Sequence, residues 1–292
     1  MKKLAYTFKT DILFKMLFVQ YPDLLKRLVS ELLKIRLESI GKFVITNPEI
    51  PPESLGDKFC RLDINMTVDG QRVDLEIQVE NEGNYPERVL FHWAREYSSA
   101  LPVGEDYKEL PRTIIINIID FTLFECTDYH SEFQPLEVTR REPLTDKMSL
   151  HFFELKKIPA DQLTPDNKLL LWLSLFKAET EEELEKIRSL EEPVMEQAIK
   201  AYHSVTTSSE FRERERLWAK ARHDEAQALS NAEEKGIQKG IQKGIQKGMQ
   251  KGMQKGIQKG KQEGKQEGKQ EIIELLESGK SPEEIIREYE KK

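Results

Sequence analysis

Cysteine is nearly absent: Cys60 and Cys126 are the two in 292 residues. Two thiols provide neither a disulfide framework nor a spaced zinc quartet, so both read as reduced, ordinary side chains. Long apolar runs are missing as well, and without about eighteen consecutive apolar residues no membrane-spanning helix is expected. The N-terminus opens Met1-Lys2-Lys3, but Lys9, Asp11 and Lys15 interrupt the apolar residues that follow. That pattern lacks a signal-peptide core and cleavage site, so a cytoplasmic location is expected. No G-x-S-x-G elbow, Walker loop or dinucleotide fingerprint occurs, which removes the common hydrolase, ATPase and dehydrogenase readings. The five histidines, His92, His130, His151, His203 and His223, show no His-x₃-His pairing. They give a zinc site no support and read as surface or satisfied core residues.

What is present is a soluble-protein composition, 38% hydrophobic and 33% charged, long enough to bury a sizeable core. The net charge of −7 is unevenly spread. Residues 231–270 carry ten Lys against four Glu, a balance of +6 that leaves −13 on the other 252 residues. Phosphate-backbone affinity rests on Lys and Arg, so any nucleic-acid contact by the acidic body must be local.

Periodicity places the elements. Thr10 or Asp11 can cap a first helix, in which Leu13, Phe14, Leu17 and Phe18 recur at three-to-four spacing. Pro22 interrupts it, and Leu24, Leu25, Leu28, Val29, Leu32 and Leu33 mark a second helix that ends before Gly41. Residues 59–68 and 71–80 flank Asp69-Gly70, a two-residue signal for a type I′ hairpin. Residues 88–101 show helical spacing through Val89, Leu90, Trp93, Tyr97 and Leu101. Thr113–Ile119 is a continuous β-branched run that reads as a fully buried strand, with another strand expected at residues 151–155. Residues 161–230 look helical, with Leu169, Leu170, Trp172, Leu173, Leu175 and Phe176 as the apolar cluster. The order defines an α/β core.

The hairpin is where chemistry can reside. Alternation sends Val73, Leu75, Ile77 and Val79 to one face and Arg72, Asp74, Glu76, Gln78 and Glu80 to the other. On the partner strand Arg61, Asp63 and Asn65 alternate against Leu62, Ile64 and Met66. Carboxylates brought together from both strands repel unless a cation lies between them, and hard oxygen ligands suit Mg²⁺ or Mn²⁺. Such an ion can activate water against a phosphodiester. The same alternation also describes the wet face of an ordinary antiparallel hairpin, and spacing alone does not choose between the two.

The ordered set Asp11-x-x-Phe14-Lys15-x-x-Phe18, Arg61-Leu62-Asp63, Asp74-Leu75-Glu76-Ile77-Gln78, then Arg88, Tyr97, Gly104 and Tyr107 resembles the Rpn family of recombination-promoting nucleases and transposase-like proteins, within the PD-(D/E)XK superfamily. The resemblance covers roughly residues 5–230. It implies a restriction-endonuclease-like α/β core, a mixed central sheet flanked by helices, over residues 1–160, with a helical extension at 161–230 packed on that core. It further implies a metal-dependent DNA endonuclease of low sequence specificity linked to recombination. Asp63 and Glu76 match the two metal-ligating carboxylates. Gln78 stands where the general motif has Lys, and cannot supply that residue's charge, although its amide can position water and Lys15 can lend charge from the first helix. Asp11 is either a further ligand or an N-cap. Arg88 and Tyr97 fall where relatives contact backbone phosphates, or else pack at the core edge. Asp74 ranks below Asp63, having no matching family position. A homodimer is a reasonable expectation, since cutting a duplex needs two sites. Two other readings stay open: an inert nuclease-fold module that binds DNA or protein, and a transposase component.

The tail stands apart. Residues 236–268 repeat Gly-Ile/Met-Gln-Lys and then Gly-Lys-Gln-Glu, with glycine at every fourth position. On a helix an Ile/Met stripe of period four drifts by about 40° per repeat, so no single face stays buried. Nine glycines oppose an isolated helix by about 7 to 9 kcal/mol relative to alanine, and a frayed helix or disorder is expected for residues 231–270 unless a partner packs on them. A linker, a basic arm along DNA and an oligomerisation element are all compatible with it. Within residues 271–292 two short helices are expected, the second opened by Ser281-Pro282-x-Glu284, with no complete recognition helix.

Overall fold

The structure is a computed structural model that describes residues 2–47, 63–81, 83–101, 104–159 and 162–290. Cys60 and Arg61, and the start of the strand expected from residue 59, lie outside the described residues. The chain consists of two compact units, residues 1–221 and residues 222–292.

In the first unit the two N-terminal helices form as their spacing predicts: α1 (Asp11–Gln20) and α2 (Pro22–Leu32), with Pro22 at the first position of α2. A proline there loses no hydrogen bond, because a first-turn N–H has no helical partner. The hairpin pairs β2 (Ile64–Val68) with β3 (Gln71–Gln78). Asp69 and Gly70 both take positive φ, 49° and 83°, which is what a type I′ turn requires. Helix α3 (Tyr85–Ser98) then crosses over to β4 (Thr113–Ile119), which runs parallel to β3 and is buried along its whole length. β6 (Met148–Glu154) continues the parallel run and starts three residues earlier than expected.

Two short strands went unforeseen, β1 (Phe43–Ile45) and β5 (His130–Phe133), each antiparallel at a sheet edge. The six-stranded order is β1-β2-β3-β4-β6-β5. The mixed sheet flanked by helices is the restriction-endonuclease-like α/β architecture. The histidines of the second edge satisfy each other, with His130 Nε2 and His151 Nδ1 3.1 Å apart.

The two sheet faces have separate cores. Ile64, Met66, Val73, Leu75, Ile114 and Ile116 face α1, α2, α4 (Lys168–Lys177) and α6 (Pro193–Thr207). Between those last two lies α5 (Glu181–Arg188), which begins in a full capping box built by Thr180 and Glu183. Trp172, Ile199 and Phe211 belong to this same apolar cluster, so residues 162–221 contribute a layer of the core. Ile115, Ile119, Leu150 and Phe152 face the other way, against Tyr85 and Val89 of α3.

The tail departs from expectation. α7 (Ser209–Glu277) runs unbroken for 69 residues, and α8 (Pro282–Tyr289) follows with its predicted capping box from Ser281 and Glu284. Glycine's penalty is outweighed because three of every four repeat residues are adequate to good helix formers. Charge and amide pairs one turn apart add to it, as between Gln238 and Glu234 and between Lys259 and Glu263. One nucleation event also serves the whole length. The drifting stripe leaves Ile237, Ile241, Ile245, Met249, Met253 and Ile257 exposed.

Candidate active site

The antiparallel register pairs Ile64 with Leu75 and Asn65 with Asp74, so the next residue outward, Asp63, comes opposite Glu76. Ile64, Met66, Val73 and Leu75 point into the core, which sends Asp63, Asn65, Asp74, Glu76 and Gln78 to the opposite face, as alternation predicts. Val79, past the strand end, is exposed.

That opposite face is not wet. α3 packs over it, and Asp74 and Glu76 are only 8% and 6% exposed. A hairpin that merely showed its polar side to solvent would leave these carboxylates hydrated. Instead burial, followed by the charges of Asp63, Glu76 and Glu96 and a hydrogen bond with Asp63, pushes the Asp74 carboxyl well above its ordinary 3.8. Its Oδ1 meets no hydrogen-bond partner among the described residues.

α3 brings counter-charge to this cluster. Arg88 Nη2 lies 3.6 Å from Glu76 Oε1, and its guanidinium sits 4.8 Å above the Tyr85 ring. Tyr85 donates its hydroxyl to Asn117 Oδ1 at 2.9 Å, and Asn117 donates Nδ2 to the His151 carbonyl at 3.0 Å. Asn117 pairs in register with Glu76. The asparagine inside the branched run Thr-Ile-Ile-Ile-Asn-Ile-Ile is the sequence signal for this anchor.

Asp63 is held from several sides. Lys15, 2% exposed, donates Nζ to the Asp63 carbonyl at 2.8 Å. Asn47 donates to the same oxygen at 3.2 Å and accepts from the Asn65 amide at 2.8 Å. Asn65 donates Nδ2 to Asp63 Oδ2 at 3.2 Å. Nothing in the sequence singled out Asn47. Gln78 turns its amide to the Glu80 carbonyl at 3.0 Å and brings no charge.

The remaining predicted residues lie less centrally. Thr10, without a side-chain cap bond, occupies the N-cap of α1, and Asp11 is an exposed first-turn residue one turn before Lys15. Acidic residues there complement the helix dipole. Tyr97 stacks on Trp93, with centroids 4.9 Å apart, and Trp93 donates to the Thr113 carbonyl at the far end of β4. Nine residues along α3 put Tyr97 about 13 Å from Arg88 in helix rise, away from the carboxylates.

Hard carboxylate oxygens from Asp63 and Glu76, next to an Asp74 that ionises reluctantly, suit a divalent cation. Among the described residues no three of His, Cys, Asp and Glu are gathered to hold an ion, so a metal here would rest on two carboxylates plus backbone and water oxygens. Among the same residues no helix is long and apolar enough to cross a membrane.

A mixed sheet whose hairpin buries paired carboxylates beneath a crossover helix is an α/β architecture consistent with the nuclease-type class. The chain belongs to the PD-(D/E)XK nuclease family transposases, whose family model matches residues 8–232. No curated protein and no solved structure matches it.

Proposed function

We propose that the protein is a metal-dependent DNA endonuclease of low sequence specificity that acts in DNA recombination. The observation that carries this reading is the burial of Asp74 and Glu76 under α3 beside Asp63, since burying acidic groups together is costly unless their charge is used. Asp63 and Glu76 would hold Mg²⁺ or Mn²⁺, which when bound would lower the pKa of a water and neutralise charge on a phosphoryl oxygen.

The chain's own residues supply the rest. Lys15, Asn47 and Asn65 fix the Asp63 backbone and carboxylate, so that this ligand needs little reorganisation. The Gln78 amide orients the attacking water. In hydrolysis the water oxygen bonds to phosphorus and the P–O bond to one sugar oxygen breaks. The water gives up a proton to solvent, and the leaving oxygen takes one from solvent. A homodimer would place two such sites on a duplex.

Gln78 also favours a second reading, an inert nuclease-fold module that binds DNA or protein, because the side chain is neutral and bonded to its own strand. Plasmid cleavage by purified protein separates the two. Nicking in Mg²⁺ or Mn²⁺ that EDTA abolishes, and that folded Asp63→Ala and Glu76→Ala variants lack, is expected. No cleavage, or cleavage indifferent to both substitutions, would leave the binding module.

A further inference from the structure

We propose that Arg88 supplies at the scissile phosphate the positive charge that Gln78 cannot, an inference that rests on the nuclease reading above. Gln78 follows Glu76 by two residues on one strand face, a separation of about 6.6 Å. A cation beside Glu76 on the α3 face lies about one long side chain away from that position. Arg88 is such a cation: its Nη2 is 3.6 Å from Glu76 Oε1, with the side chain 15% exposed.

The residue is held for this place. Its guanidinium lies over the Tyr85 ring, and Tyr85 is tied through its hydroxyl to Asn117, the register partner of Glu76 on β4. Helix, ring and sheet thus fix where the charge sits. Lys15, a buried cation on α1, donates to the Asp63 carbonyl and so bears on backbone position. A guanidinium is a planar fork of donors that matches both carboxylate and phosphate geometry. It can keep Glu76 in place and face the oxygens of a phosphodiester as charge grows on them in the transition state.

A contact that merely anchors DNA weakens binding uniformly, whereas a cation at the reacting phosphate acts chiefly on turnover. Cleavage of a labelled duplex by the full chain, with Mn²⁺ affinity measured by calorimetry, distinguishes them. R88M is expected to lower kcat by roughly 10²-fold, the scale of losing one preorganised charge contact, with KM and the Mn²⁺ dissociation constant changed less than about threefold. Q78K placed on R88M is expected to recover at least about tenfold, because a lysine at this position returns positive charge to the same strand face. If R88M does not fold, R88Q and R88K decide in its place, with loss expected in the first and partial retention in the second. Turnover in R88M or R88Q within threefold of the parent, a loss confined to KM, or no recovery in a folded Q78K/R88M protein would overturn the assignment. A parent that does not cut at all sinks the nuclease reading and this inference together. A parent that cuts beside an equally active Arg88 variant sinks this inference alone.

Discussion

Asp74 shows how much a single side chain's environment adds to its place in the sequence. Alternation put it on the face of Glu76, but only the crossing of α3 shows that the face is dry. The consequence for stability has a definite sign. Burial and the neighbouring acids raise its folded-state pKa, so ionisation is harder in the folded than in the unfolded chain. Its contribution is fully present below 3.8 and is lost as pH climbs through the raised value. Asp74→Asn cannot ionise and escapes that loss. In EDTA the variant should melt higher than the parent at pH 7.5, and the difference should shrink toward pH 4. His151 works in the opposite direction, its pKa lowered to about 4 chiefly by burial. It is present in both proteins and cancels from their difference. A variant that melts lower than the parent at every pH would show that Asp74 is stabilising as a carboxylate.

At the scale of elements, what the sequence showed depended on whether the pattern or the partner decides. The hairpin was legible because Asp-Gly has a specific backbone requirement and alternation on either side fixes the register. β4 was legible because a run of branched residues between Pro and Asp suits a strand buried on both faces. β1 and β5 were not, since three and four residues carry no period and only a neighbouring strand's edge recruits them. The tail was misjudged for a different reason: the glycine penalty was counted without the helix formers between the glycines. That penalty remains measurable. A Cβ added at Gly240, Gly244 or Gly248 meets nothing within 4 Å, so alanine there gains helix propensity without a clash, about 1 kcal/mol at each position. The triple alanine variant should show stronger helical ellipticity on warming and slower amide exchange across residues 236–260. Unchanged exchange would mean that the glycines do not limit this helix.

For the whole molecule, the residues proposed for the site could be named from the sequence, but the contacts that hold them could not. Asp63, Glu76, Gln78 and Lys15 were named from motif order, whereas Asn47, Asn65 and Asn117 hold the site in place through contacts far apart in sequence. Helical spacing marked residues 161–230 as an extension packed on the core, and the apolar cluster on one side of the sheet includes Leu171, Trp172, Phe176, Met195 and Ile199, all 0% exposed. Phe211 is equally buried, with its ring edge-on to Tyr6. Burying each such side chain contributes roughly 1.5 to 3 kcal/mol, so losing them all removes as much as the 5 to 15 kcal/mol that typically holds a domain together. A chain ending at residue 160 should therefore be insoluble or unfolded by circular dichroism. One ending at residue 221 keeps this entire apolar layer and should melt cooperatively, within a few degrees of the full protein. If the shorter chain folded cooperatively, α4 to α6 would be an appendage after all. If the longer one failed to fold, the core would need residues beyond 221 that no buried contact in the first unit predicts.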